Sequence, residues 1–186
     1  MAVRRVIQIG DPILRRRATD VPSAALGSPG LRDLVLDLVD TMHSAGGIGI
    51  AAPQIGESVR AAAIEITADS TRYPDMQPFP LAVFINPVIT TFDANPQEFW
   101  EGCLSVPGLR GLVARPRGVR VDYLDAYGSA HSITADGFLA TVLQHELDHL
   151  DGVLFVDRVR DTTRLATIEN YIRFWRESQT DTPEEV

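Results

Sequence analysis

The stretch that decides the fold lies at residues 136–152 and contains the run Gln144-His145-Glu146-Leu147-Asp148-His149. Asp136 is a favourable residue to begin a helix, and Gly152 is a favourable one to end it. Apolar residues recur between them at helical spacing, at Phe138, Leu139, Val142, Leu143 and Leu150. A helix exposed on all sides would not need such a stripe. The sequence therefore predicts one helix that packs into a core and carries two histidines.

The histidines of this helix have the spacing of metal ligands. His145 and His149 are four residues apart, so their rings project from the same helical face and can bind one ion. Glu146 lies near that face, where it can reach a water molecule at the metal. This is the His-Glu-x-x-His pattern of metallohydrolases. The alternative is a charged helix with two surface histidines, and the apolar stripe favours the metal site.

A tetrahedral catalytic site needs a third protein ligand and one open position. Cys103 is one candidate, in the run Glu101-Gly102-Cys103-Leu104-Ser105-Val106-Pro107. Glu169 is the other, twenty residues beyond His149, as in some zinc peptidases. A further histidine at position 155 would indicate another protease class, but that residue is Phe155. The residues alone leave both candidates open. A buried core cysteine is the alternative interpretation of Cys103, although the neighbours Gly102 and Glu101 argue against it.

Outside this helix, the pattern predicts two more helices and several strands. One helix spans residues 28–46, and another begins at residue 161 or 162 with an apolar stripe at Leu165, Ile168, Ile172 and Trp175. Strand-like runs occupy residues 59–66, 82–91, 98–106, 119–126 and 129–134. This order predicts an α+β fold, with small antiparallel or mixed sheets around the histidine-bearing helix and with an N-terminal and a C-terminal helix.

The composition narrows the class of protein. A chain of 186 residues suits one domain, predicted here as residues 1–178, with residues 179–186 as a flexible acidic tail. The balance of 17 basic and 25 acidic residues gives a net charge of −8, which argues against a nucleic-acid-binding face. With Cys103 as the single cysteine, no intrachain disulfide can form, so a reducing compartment is expected. No secretory signal or membrane-spanning run is evident, and we expect a cytoplasmic protein.

Three separated motifs resemble those of the peptide deformylase family. They are Gly47-Ile48-Gly49-Ile50-Ala51-Ala52-Pro53-Gln54, Glu101-Gly102-Cys103-Leu104-Ser105, and Gln144-His145-Glu146-Leu147-Asp148-His149-Leu150-Asp151-Gly152. Ile50 stands where leucine is usual in the family, a small departure. The opening Gln8-Ile9-Gly10-Asp11-Pro12-Ile13-Leu14-Arg15 is also similar. One motif alone is moderately specific, whereas all three in this order and spacing are very specific.

The resemblance implies an activity and a set of site residues. The activity is removal of the formyl group from N-formylmethionyl peptides, with release of formate. The implied metal ligands are Cys103, His145 and His149, with water in the fourth position. The implied metal is ferrous iron, replaceable by zinc, nickel or cobalt. Glu146 would act as the general base, and the Gln54 side chain and the backbone N–H of Leu104 would stabilise the oxyanion.

The peptide itself should lie along small residues. The backbone near Ile48, Gly49 and Gly102 can bond an extended peptide, although these glycines can also be plain turn residues. Phe138 and Val142 can line a pocket for the methionine side chain. Arg110 matches a family position that helps to hold the peptide. The family acts on nascent chains, so the ribosome near its exit tunnel is an implied partner, and Arg164, Arg173 and Arg176 near the C-terminus fit that role.

Two other functions are compatible with part of the pattern. A zinc endopeptidase would use His145, His149 and Glu169. A structural metal centre with no catalytic role would need a fourth protein ligand, and His43 or His131 would have to provide it because no second cysteine exists.

Overall fold

The computed structural model describes residues 2–68, 76–93 and 95–176. It contains four α-helices: α1 (Pro29–Ser44), α2 (Gly137–Leu150), α3 (Phe155–Arg158) and α4 (Ile168–Phe174). Short 3-10 helices occur at Pro12–Arg15, Ser23–Ala25, Ala52–Ile55 and Thr162–Arg164. None of the helices in these ranges has the length and apolar character needed to span a bilayer.

The strands form two antiparallel sheets. The larger sheet has the order β1-β2-β3-β6-β7, and the smaller has the order β4-β5-β8. Their bounds are β1 (Gly49–Ala51), β2 (Ala61–Ile66), β3 (Phe79–Phe92), β4 (Pro96–Cys103), β5 (Val106–Pro116), β6 (Gly118–Leu124), β7 (Ala130–Asp136) and β8 (Leu165–Thr167). Among the described residues, β1 and β4 are both edge strands of their sheets.

Helix α2 occupies the centre of the fold and contacts strands of both sheets. Its apolar residues Ala140, Val142, Leu143 and Leu147 pack with β-strand residues such as Phe84 and Val121. Gly152 follows the helix with φ +76°, and a Cβ there would approach the backbone of Arg15 to 2.8 Å. Glycine at this position therefore lets the N-terminal segment cross the end of α2. The prediction of an α+β fold around this helix is confirmed.

Two further apolar clusters hold the outer elements in place. Helix α1 packs Leu38 and Met42 against Ile50 and Ile85 of the larger sheet. Beneath the smaller sheet, Leu14, Cys103, Val113, Leu154 and Phe155 form a second core. Cys103 is thus part of a core, as the alternative interpretation of this residue proposed, and it also faces α2.

Three details of the sequence prediction were wrong or lie outside the described residues. Residues 98–106 are not one strand. β4 ends at Cys103, residues 104–105 form a tight turn, and β5 begins at Val106. The C-terminal helix begins at Ile168 rather than near residue 161, because residues 165–167 pair with β5 as strand β8. The predicted tail at residues 179–186 lies outside the described residues.

Candidate metal centre

Three side chains converge where β4 meets α2. Cys103 is the last residue of β4, and His145 and His149 lie one turn apart on α2. One ligand atom from each of the three lies within 4.8 Å of the others. Cys103 Sγ and His149 Nε2 are 3.2 Å apart. The chain thus brings together all three predicted metal ligands, from parts of the sequence 42 residues apart.

The electrostatics of the three groups suit a cation. Burial alone would raise the pKa of the Cys103 thiol, but the charge of His149 and hydrogen bonds with both histidines lower that pKa well below its ordinary value. A thiolate and two imidazoles are ligands that zinc and ferrous iron both accept. The residues present therefore fit a divalent metal ion.

Glu101 orients one of the histidines, a role that the sequence analysis missed. Its Oε2 lies 2.7 Å from Nδ1 of His145. An ionised carboxylate can only accept, so Nδ1 donates and Nε2 is left to bind a metal. Burial alone would raise the pKa of Glu101, but hydrogen bonds from His145 and Arg115 lower it to about 2. The signal was available in the sequence, because residues 101 and 103 of one strand share a face.

Nδ1 of His149, unlike that of His145, has no carboxylate partner among the described residues. Its side chain is 1% exposed. Among the residues that the structure describes, Nδ1 of His149 has no hydrogen-bond partner. Buried polar groups of this kind are commonly satisfied by ordered water. The ring of His149 is accordingly held by packing and by Cys103 rather than by a carboxylate.

Glu146 is buried at the same site. Its side chain is 4% exposed, and its Oε2 has no hydrogen-bond partner within the described residues. Burial raises the pKa of Glu146 to about 7, against the opposing charges of His145 and His149. A carboxylate whose pKa lies near neutrality can exchange protons at physiological pH.

Gln54 presents its amide group to the same cavity. Its Oε1 accepts a hydrogen bond from the backbone N–H of Ala51 at 2.8 Å. This contact directs Nε2 toward Ser105 Oγ at 3.2 Å and Cys103 Sγ at 3.5 Å. Gln54 therefore stabilises its own turn, and the same contact aims its N–H groups at the metal centre.

The motif glycines are required by neighbouring side chains of the protein. A Cβ on Gly49 would overlap the carboxylate of Glu146, and a Cβ on Gly102 would overlap the guanidinium of Arg110. A Cβ on Gly47 would lie 2.9 Å from the Leu104 side chain. These glycines are therefore more than turn residues, because each makes room for a side chain at the centre.

A cleft opens onto these groups. Its lining includes every predicted substrate residue except Arg110, together with the catalytic candidates. The residues in question are Ile48, Gly49, Gln54, Gly102, Leu104, Phe138, Val142 and Glu146. Arg110 lies beside the cleft, with its guanidinium over Gly102.

The ligands of the two alternative functions lie elsewhere. Glu169 is an exposed residue in the first turn of α4, and it is not part of the metal-ligand cluster of the described residues. His43 pairs with Glu65, and His131 pairs with Asp125 at 3.0 Å. Neither histidine belongs to the cluster of potential metal ligands found among the described residues.

An α+β fold whose central His-Glu-x-x-His helix is completed by a cysteine defines a metallohydrolase. Comparison with known proteins identifies which kind. The family model described as polypeptide deformylase matches residues 3–165. The chain therefore belongs to the peptide deformylase family, and it is a hydrolase that removes the formyl group from the N-terminus of nascent peptides.

Relatives in sequence and in structure agree with this assignment. A peptide deformylase of Leptospira biflexa is 43% identical over 162 residues, which cover 87% of this chain and 90% of that protein. A class I type b peptide deformylase of Acinetobacter baumannii, solved with Met-Ala-Ser bound, has a TM-score of 0.82 at 38% identity and covers 85% of this chain and 99% of that one. The Synechococcus elongatus enzyme in complex with actinonin has a TM-score of 0.76 at 36% identity, with coverage of 88% and 86%.

Proposed function

We propose that Cys103, His145 and His149 hold one divalent metal ion, that Glu146 is the general base, and that Gln54 and Leu104 stabilise the oxyanion. The observation that carries this assignment is that the ligand cluster lies at a cleft lined by Cys103 and His145 together with Gln54 and Glu146. The substrate class is N-formylmethionyl peptides, as in the family.

A divalent cation supplies Lewis-acid polarisation and lowers the pKa of water to roughly 7. Glu146 removes the proton from the attacking water and later delivers a proton to the leaving amine. Its buried position supports both steps, because its pKa of about 7 lets it accept and release a proton near neutral pH.

The negative charge that develops on the formyl oxygen needs donors that already point toward it. Nε2 of Gln54 is fixed in direction because Oε1 of the same amide accepts from Ala51. The backbone N–H of Leu104 is the second proposed donor, directly after the ligand Cys103. Leu104 also lines the cleft, which supports this placement.

The peptide lies between the two sheet edges. β1 carries Gly49 and β4 carries Gly102, and both are edge strands whose backbone can pair with an extended chain. The backbone of Ile48 continues this edge. Phe138 and Val142 line the cleft on the α2 side, where they can surround the methionine side chain. Arg110, which covers Gly102, is placed to contact the peptide beyond the methionine.

Ferrous iron is the proposed metal in the cell, with zinc, nickel or cobalt able to replace it. The ligand set is compatible with each of these ions. A thiolate beside ferrous iron is sensitive to oxygen. We therefore expect protein purified under anaerobic conditions to contain iron and to lose activity in air, whereas nickel-loaded protein should keep its activity.

The remaining proposals concern the setting of the reaction. Residues 1–178 form one catalytic domain, and the protein works in the cytoplasm beside the ribosome exit tunnel. The arginines around α4 are the feature that supports ribosome binding. The guanidinium of Arg164 lies over the ring of Trp175, and that of Arg173 lies over the ring of Phe174. Co-sedimentation with ribosomes tests this proposal. If the Arg173→Glu variant co-sedimented as well as the wild type, docking through α4 would be ruled out.

The decisive experiment measures metal content and formate release from formyl-Met-Ala-Ser. Glu146→Ala should retain metal and lose turnover. Cys103→Ala should lose metal, whereas Glu169→Ala should keep both metal and activity. Loss of metal in Glu169→Ala would support the endopeptidase ligand set. Wild-type protein that binds metal but releases no formate would support a structural centre.

A further inference from the structure

Helix α3 contacts the surroundings of His145 at both of its ends. At its first residue, the ring of Phe155 stacks on the ring of His145, with centroids 6.2 Å apart and planes inclined by 20°. At its last residue, Arg158 binds Asp148, which lies on α2 beside the ligand His149. This one-turn helix therefore meets the centre by two separate routes.

The route from Arg158 is a continuous series of charged hydrogen bonds. Nε and Nη2 of Arg158 donate to the two oxygens of Asp148, each at 2.5 Å. Nη1 of Arg115 donates to Oδ2 of Asp148 at 2.8 Å. Nε and Nη2 of Arg115 donate to the two oxygens of Glu101 at 2.5 and 3.0 Å. Glu101 in turn accepts from His145.

We propose that α3 is a positioning element for the metal ligand His145, with Arg158 as its outer anchor. The inference rests on the proposed function, because it concerns the geometry of the metal ion that His145 would bind. Arg158, Asp148 and Arg115 act through Glu101 and do not touch the substrate.

The balance of charges and the burial of Arg115 explain why Arg158 matters. Arg115 is 2% exposed and faces two carboxylates, those of Glu101 and Asp148. Arg158 supplies the second positive charge, so the four groups balance. Without it, Asp148 would carry excess negative charge beside the buried Arg115 and would turn toward water. Arg115 would then lose the partner that fixes its fork against Glu101.

Arg158 is suitable for mutation because its side chain is 44% exposed. Removing it leaves no cavity in the core, so the variant should fold. The matched control is Arg120→Ala, because Arg120 is a 53% exposed arginine paired with Asp122 on β6. Both members of the Arg120–Asp122 pair are exposed, so losing this pair should have only a small effect.

The experiment loads each protein with cobalt(II), records its visible absorption, and measures metal affinity by competition with a chelator. We expect Arg158→Ala to change the cobalt spectrum, to weaken metal binding about tenfold, and to lower kcat more than it changes KM. Arg158→Lys should restore only part of this loss, because lysine cannot form the two-pronged contact. Phe155→Leu, which removes the stacked ring, should also change the spectrum.

The result that would overturn the proposal is an Arg158→Ala protein with the wild-type spectrum and metal affinity. Equal spectral changes in Arg120→Ala would overturn it too. Failure of the proposed function is separate, because wild-type protein that releases no formate can still be compared with its variants by cobalt spectrum and affinity.

Discussion

Oε2 of Glu101 and Nδ1 of His145 lie 2.7 Å apart, so the second nitrogen of this histidine is left free to bind a metal ion. Glu101→Gln removes the negative charge and leaves the buried Arg115 with only one ionised partner, Asp148. We expect metal affinity to fall by about 10- to 100-fold, as for other carboxylate partners of ligand histidines. Competition with a chelator measures the loss. Glu98→Gln, an exposed position on the same strand, is the control and should bind metal normally.

Gln54→Ala should lower kcat by about 100- to 1000-fold, because one aligned oxyanion donor is lost. Metal content should remain unchanged, since Gln54 is not a ligand. Formate release at saturating formyl-Met-Ala-Ser measures kcat. The variant Ser105→Ala removes only the Oγ that accepts from Gln54 and should have a smaller effect. A Gln54→Ala enzyme with normal kcat would show that this amide does not stabilise the oxyanion.

Glu146 should make the metal-free protein less stable at high pH. The pKa of Glu146 is raised to about 7 in the folded protein from 4.5. Burial of Glu146 therefore costs no free energy of unfolding below about pH 4.5, and that free energy falls as the pH rises from 4.5 through 7. Glu146→Gln abolishes this fall in stability, because glutamine does not ionise. We expect the variant to unfold with a free energy higher than wild type by up to about 3 kcal/mol at pH 8, and by much less at pH 5.

Urea denaturation of the metal-free proteins at both pH values measures this difference. The same variant should have lost turnover in its metal-loaded form. If the two proteins were equally stable at pH 8, then ionisation of the buried Glu146 would not destabilise the folded protein.

Gly49→Ala should reduce activity by displacing Glu146, because the added Cβ would overlap its carboxylate. The three atoms nearest to the added Cβ all belong to Glu146, so we expect metal content to be retained while kcat falls at least about tenfold. Gly30→Ala is the matched control. Apart from its chain neighbours and the backbone of α1 itself, no heavy atom lies within 4 Å of the Cβ that it adds, and helix propensity predicts equal or slightly higher stability. Full activity in Gly49→Ala would show that Glu146 tolerates displacement.

The comparison of sequence with structure is clearest at the metal centre. His145 and His149 could be predicted as a pair because helical geometry over four residues is local. Glu101 could have been predicted, because strand alternation places it on the same face as Cys103. The role of Asp148 could not, since its partners Arg115 and Arg158 come from β5 and α3. Asp148 is adjacent to His149 in the sequence, but its carboxylate binds Arg115 and Arg158.

The sequence alone determined what is set by local rules: the buried helix at residues 137–150, the helix at residues 29–44, and a pair of imidazoles on one face. The tertiary structure decided the rest. It brought Cys103 to the histidines through the pairing of β4 with β5, and it made residues 165–167 a strand despite their helical periodicity. The physical reason is that contacts between distant segments depend on sheet register and burial, which the spacing of residues along the chain does not encode.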